Sequence, residues 1–344
     1  MTFTVRPLDI DSDHDIAGIH ALRLALTEWH WGVSTPRPLD AVREVMRSSA
    51  QHEMRVQLLT TVQDGEEKIC GYVRVSLPQQ DNLNLTWLDY VLRPEDFRTE
   101  VEEALVDKAV IPLVREAGRP LVTYWAGLPM DADPKDPTQM PLGAQKLNLR
   151  CTAMGISRKL RLPMPDAVVA EIEADIAEKI GDYRLLSWDS TVPEEYLEQY
   201  AKLLYQLELD DPLEDMEYER PQFDAARVRE REEEHRRSGE RVMVTVAVAP
   251  DGTLAGNTEL FIKESPRTRF AFQGNTLVMP EHRGHRLAAA MKLANQRAAC
   301  AALPELEVVG TNNSHVNPHM VAINERFGFV PVFRTVGFQG QLEV

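Results

Sequence analysis

Long apolar runs are missing from this chain of 344 residues. None approaches the ~20 residues that cross a bilayer, so neither a membrane-spanning helix nor a membrane partner is expected. The opening MTFTVRPLDI has no basic stretch followed by an apolar one, and a secretory leader is not expected there. Cysteine is scarce. Cys70, Cys151 and Cys300 lie far apart and without metal-ligand spacing, which points to reduced thiols in a cytoplasmic protein and to no metal site. They are expected to fill the core rather than to act as nucleophiles. Positive charge is also short, with 38 Lys and Arg against 54 Asp and Glu and a net charge of −16. Binding a phosphate backbone needs concentrated Lys and Arg, so a nucleic-acid partner is not expected. A cationic small substrate is compatible with this balance. What is present, 43% hydrophobic and 27% charged residues, is a globular composition. The length suits two domains of ~170 residues each.

The chain repeats itself. FTVRPL (3–8) and YRLLSW (183–188) are similar openings, each followed by an amphipathic helix, near 14–30 and near 193–207. Each half then shows a hairpin: 54–63 and 69–77 flank Asp64-Gly65, and 241–249 and 254–263 flank Asp251-Gly252. An Asp-Gly pair between alternating strands is a hairpin signal. A strand, helix and strand recur next, at 85–92, 99–117 and 120–126 and again at 270–279, 284–301 and 306–310. Even the tail recurs, as Met154-Gly155-Ile156 and Phe327-Gly328-Phe329. The pattern predicts a tandem of two similar domains, 1–165 and 183–344, joined by a linker helix over 166–182.

The stretch TLVMPEHRGHRLAAAMK (276–292) carries the chemistry. Thr276, Leu277 and Val278 read as the end of a strand, Pro280 ends ladder pairing, and Leu287, Ala288 and Ala289 open a helix of high propensity. A helix start leaves N–H groups unpaired and a partial positive charge, which suits a pyrophosphate. Gly284 lets backbone approach a ligand, while Arg283, His285 and Arg286 sit at the same place. The alternative is an ordinary strand–turn–helix joint with surface arginines. After it, LEVVGTNN (306–313) reads as a buried strand with a polar end, and NPHMVAINERFGF (317–329) as a helix capped by Asn317.

In this order the elements resemble the GNAT superfamily of acyl-CoA-dependent N-acyltransferases, in the tandem-domain actinobacterial type whose layout is similar to mycothiol synthase. The superfamily loop [Q/R]-x-x-G-x-[G/A] is here Arg283-Gly284-His285-Arg286-Leu287-Ala288, with arginine at the central glycine position. The helix resembles N-x-x-A-x-x-x-Y-x-x-x-G-F, with Asn317, Gly328 and Phe329 in place and Asn324 at the tyrosine. The resemblance implies an α/β (α+β) fold of two tandem domains, each a central mixed, mostly antiparallel sheet flanked by helices. It also implies acetyl-CoA as cosubstrate, held by Thr276–Val278, Arg283–Ala289, Asn312 and Asn317.

The repeat supplies an internal control. Opposite Pro280–Ala288 lies Pro94–Glu102, which has no glycine and carries Glu100 and Glu102 where a phosphate would approach. The first domain therefore reads as a degenerate copy without acyl-CoA. For acid–base work the superfamily commonly uses a carboxylate, often through water, and a tyrosine. The position five residues before Asn317, sometimes a glutamate there, is Asn312, and an amide cannot move a proton. Glu259 remains as a candidate base, its alternative being an exposed strand glutamate. His319, and beside it His315, can exchange a proton near neutral pH or can be plain surface histidines. Asn324 is expected to position rather than protonate. The acid-rich segment 208–219 either draws a cationic amine or is a solvated loop, and helix 224–238 reads as a solvated face with i,i+4 charge pairs. The expected activity is acetyl transfer from acetyl-CoA to a small amine by the second domain, in a monomer or homodimer. The alternatives are a thiol-sugar acetyltransferase like mycothiol synthase and a non-catalytic acyl-CoA sensor.

Overall fold

A computed structural model describes residues 2–342. Its chain forms two compact units that interleave in sequence. Unit 1 holds the chain through Gly155 with 213–219 and 333–342; unit 2 holds Ile156–Pro212 and Arg220–Val332.

Unit 1 opens with β1 (Phe3–Pro7), α1 (Asp13–Trp31) and α2 (Leu39–Met46), then the hairpin β2 (His52–Gln63) and β3 (Glu66–Pro78). Asp64 and Gly65 both take positive φ, 55° and 83°, the twist that a two-residue hairpin turn requires. β4 (Leu85–Leu92) leads into α3 (Glu100–Leu105), a π turn over Val106–Val110, and α4 (Ile111–Ala117). Pro112 explains that turn. It has no N–H to close an α-turn and its ring crowds the carbonyl four residues back, so the helix widens locally. β5 (Leu121–Leu128), α5 (Leu142–Lys146) and β6 (Arg150–Arg161) follow, β6 entering unit 2 from Ile156.

Unit 2 continues with α6 (Asp166–Lys179), β7 (Arg184–Asp189), α7 (Leu197–Asp210), α8 (Ala225–Arg237), β8 (Glu240–Val248) and β9 (Leu254–Lys263). It closes with β10 (Phe270–Val278), α9 (Leu287–Ala302), β11 (Val308–Ser314) and α10 (Pro318–Phe327); the last strand, β12 (Val330–Gln341), lies mostly in unit 1.

The strands of the two units are ordered alike. In unit 1 the order is β1-β2-β3-β4-β5-β12, antiparallel except for β4 with β5. In unit 2 it runs β7-β8-β9-β10-β11, antiparallel except for β10 with β11. The sixth strand of unit 1 is not the one that follows β5 in sequence. β12 takes the place, pairing from Arg334 opposite Leu128 to Gln341 opposite Leu121. Val336 and Phe338, two residues apart on one face, bury completely in the unit 1 core. That burial stabilises by about 1.5–3 kcal/mol per side chain. Segment 213–219 is also built in. The Glu219 backbone N–H donates to the Asn82 side chain, and Asn82 donates back to the Glu219 carbonyl. It is neither a free loop nor part of unit 2.

Helix α8 carries the charge pairs its sequence suggests, chiefly at i,i+3, as Arg229–Glu232 and Arg236–Glu233. It is not solvated all round. Val228 is buried and Arg231, one turn on, reaches into the unit 2 interior.

Candidate active site

In unit 2 the β10–β11 ladder stops at Gln273 opposite Thr311, and a bulge between Gln273 and Thr276 breaks the β9 register. Beyond that point β10 and β11 no longer pair among the described residues, and the strands part between Asn275–Val278 and Asn312–Ser314, the place of a candidate cleft. Thr276 bonds Thr258 at 2.8 Å, and Leu277 is buried.

The loop after β10 ends in a helix start without a cap. Arg286 occupies the N-cap of α9 in the left-handed conformation, φ 57°, its side chain makes no cap bond, and among the described residues no side chain bonds the first-turn amides. Gly284 has φ 91°, with open space where a Cβ would stand. The loop's side chains are tied away from its amides. His282 Nδ1 meets the Tyr183 hydroxyl at 2.8 Å, and His285 Nδ1 donates to the Lys179 carbonyl at 3.2 Å. Arg283 pairs with Asp210 at 2.5 Å, and Arg286 with Asp175 at 2.7 Å. What is left for an anion is the backbone: unpaired N–H groups at the positive end of a helix dipole.

Unit 1 shows the same turn already filled. Arg98, at the position aligned with Gly284, is likewise left-handed at φ 62°. Here the Glu102 carboxylate accepts from the Arg98 amide at 2.7 Å and from the Tyr90 hydroxyl at 2.9 Å, and Thr99 caps Val101. Glu102 is 1% exposed. An internal carboxylate sits where the second copy leaves amides free.

Glu259 is not an exposed strand residue. It is fully buried, and both oxygens are engaged. Arg231 donates to both at 2.8 and 2.7 Å, Asn275 donates at 2.7 Å, and the Tyr200 hydroxyl donates to Oε1. Burial opposes its charge, but Arg231 outweighs burial and holds the carboxyl below its ordinary range. Sequence reading missed Arg231, Tyr200 and Asn275. The spacing Ala225, Val228, Arg231 was the available signal, since it puts the arginine on the only apolar stripe of α8.

Asn324 is fully buried and donates to the Asn313 carboxamide at 2.7 Å, while its own Oδ1 has no partner among the described residues. One of its two N–H donors is therefore engaged, and its acceptor is free. Asn317 uses its side-chain oxygen to cap α10 through the Met320 amide at 3.2 Å. Asn312, His315 and His319 are exposed.

Lys292, which the sequence presents as one more helix former, is 1% exposed on α9. Its ammonium lies 5.4 Å from the Phe329 ring centre, and burial alone pushes its pKa down to about 7. The folded state thus binds fewer protons than the unfolded chain between pH 7 and about 10.4, so stability rises with pH across that window. Lys292→Met is expected to raise stability by up to about 4 kcal/mol at pH 7, a gain that disappears above about pH 10.4. Urea melts at the two pH values measure it; equal gains at both would contradict the buried ammonium.

No family model and no curated protein matches the chain. Solved structures do. A tandem GNAT protein from the clavulanic acid biosynthesis pathway superposes with a TM-score of 0.74 at 22% identity, covering 99% of this chain and 98% of that one. The chain has the tandem GNAT fold. A GCN5-related N-acetyltransferase from Sphaerobacter thermophilus matches at TM-score 0.57 and 14% identity, over 98% and 95% of the two chains. N-myristoyltransferase of Saccharomyces cerevisiae with bound myristoyl-CoA matches at 0.55 and 10%, over 100% and 80%. The expected α/β architecture of two tandem GNAT-like halves is thereby borne out.

Proposed function

We propose that this protein transfers an acetyl group from acetyl-CoA to a small amine, with the reaction in unit 2. One contrast carries the reading: α9 begins with free amides beside an open Gly284, whereas the matching turn of unit 1 holds its own carboxylate. An acyl-CoA pyrophosphate fits the first and is repelled by the second. The GNAT fold, shared with acetyltransferases and with a protein holding myristoyl-CoA, supports an acyl-CoA cosubstrate.

Thr276, Leu277 and Val278 lie on β10 past its last pairing with β11, where backbone groups can hold the pantetheine arm and polarise the thioester carbonyl. Attack needs a neutral amine, and the thiolate then needs a proton. Glu259 has no free lone-pair direction among the described residues, so it acts here by fixing Asn275 and the bulge rather than by taking a proton. Asn324 accepts and orients through Oδ1. His319 and solvent remain for proton traffic, and positioning of the reactants supplies the rate. The free thiols fit a cytoplasmic setting.

The test is thiol release from acetyl-CoA against a panel of small amines and thiol sugars. Amine-dependent release, absent in Gly284→Glu, is the expected result. Tight acetyl-CoA binding with no release from any acceptor would establish the sensor reading instead.

A further inference from the structure

Unit 1 has an opening of its own. β4 and β5 pair from Leu85 opposite Leu121 only as far as Leu88 opposite Tyr124. Where they part, a cavity of about 600 Å³ forms, lined among others by Arg23, Trp29, His30, Asp89, Tyr124 and Trp125. Acyl-CoA does not explain it, because Glu102 occupies the place of the pyrophosphate in this unit.

Three observations define what fits. Trp29 and Trp125 are 56% and 40% exposed, two large indoles on the wall of one cavity. Behind Trp29 the His30 ring, 4.8 Å away and tilted by 49°, stacks on Phe333 at 4.3 Å, so the wall is aromatic more than one ring deep. Arg23 is the second observation. Its Nη2 donates to Tyr72 and to Asp89, each at 2.5 Å, while Nε and Nη1 have no partner among the described residues. The third is local charge. Arg23 and Arg74 face the single carboxylate of Asp89, so this three-residue cluster carries one net positive charge, with Arg23 its member on the cavity wall. Burial, with Arg23 nearby, pushes the His30 pKa down to about 4, so the ring is neutral at pH 7. Of the other charged groups on the cavity, Glu102 and Asp131 are negative and Arg98 is positive, so the positive charge is local to Arg23 rather than a property of the whole cavity. Glu102 has both oxygens bonded, Arg98 donates to the carbonyls of Thr138 and Gln139, and Asp131 is exposed.

We propose that this cavity is a second ligand site, separate from the unit 2 cleft, for a small organic anion with a flat aromatic body. The free N–H groups of Arg23 receive the charge, and the ring lies against Trp29 and Trp125. The proposal is independent of acyl transfer in unit 2.

Titration of the full chain with 2-naphthoate, followed by tryptophan fluorescence and calorimetry, tests it. One naphthoate per chain is expected, with neutral 2-naphthamide weaker by about tenfold or more, the loss of one charged hydrogen bond. Arg23→Gln should remove that difference by weakening naphthoate alone. Trp125→Ala, at a partly exposed position, should weaken both ligands. Gly284→Glu should leave naphthoate binding intact even as it removes acetyl-CoA. Equal affinity for acid and amide, no binding at millimolar concentration, or loss of naphthoate in Gly284→Glu would each overturn the proposal.

Discussion

Gly284→Glu is expected to raise the dissociation constant of acetyl-CoA by about 10³-fold, roughly 4 kcal/mol. Two effects add. A side chain at φ 91° costs about 1–3 kcal/mol of backbone strain, which the loop relieves by moving its amides out of line. The new carboxylate then enters the space now open at Gly284, at the positive end of α9, and competes with the pyrophosphate for the same N–H groups. Unit 1 already displays the end state, with Glu102 on the Arg98 amide. Gly284→Ala separates the effects, since it keeps the strain and omits the charge, and should lose far less affinity. Arg98→Glu in unit 1 should leave acetyl-CoA binding unchanged. Isothermal titration of the three variants decides: wild-type affinity in Gly284→Glu, or two acetyl-CoA per chain in the native protein, would defeat the assignment.

Much of this was legible because it is local. A strand that ends at Pro280, a glycine in a tight turn and a run of alanines specify their conformations within a few residues, and the internal repeat calibrated them. The alignment of Arg98 with Gly284 was legible in this way, whereas the left-handed backbone of Arg98 was not, since an arginine does not signal a positive φ. What escaped was long-range. Nothing in the sequence of β12 distinguishes pairing with β5 from pairing nearer in the chain, because Val336 and Phe338 satisfy any half-buried strand. Buried polar groups escaped for a related reason. Lys292 and Arg231 have the composition of surface helix residues, and their burial depends on what packs from elsewhere. Glu259 was found as a carboxylate near the cleft, but its partners come from α7, α8 and β10, so its freedom to act could not be read from the strand.

Breaking the Glu259 cluster should therefore show in stability before it shows in rate. Glu259→Gln leaves the Arg231 guanidinium, 24% exposed, without its counter-charge, and a broken buried pair costs about 3–5 kcal/mol. Arg231→Met together with Glu259→Gln removes both charges and should cost less than the sum of the single changes. The sign with pH follows from the carboxylate. Its folded pKa lies below the unfolded value of about 4.3, so its contribution is complete above that pH and fades as pH falls further. Acid unfolding of Glu259→Gln should therefore be less steep than that of the native chain. Turnover at a temperature below its melt should fall by less than about 10²-fold, with the acid limb of the rate profile unmoved. A general base would instead lose about 10²–10⁴-fold and take that limb with it. That outcome would require Glu259 to shed Arg231 or Tyr200 when substrate binds, and would return proton transfer to this residue.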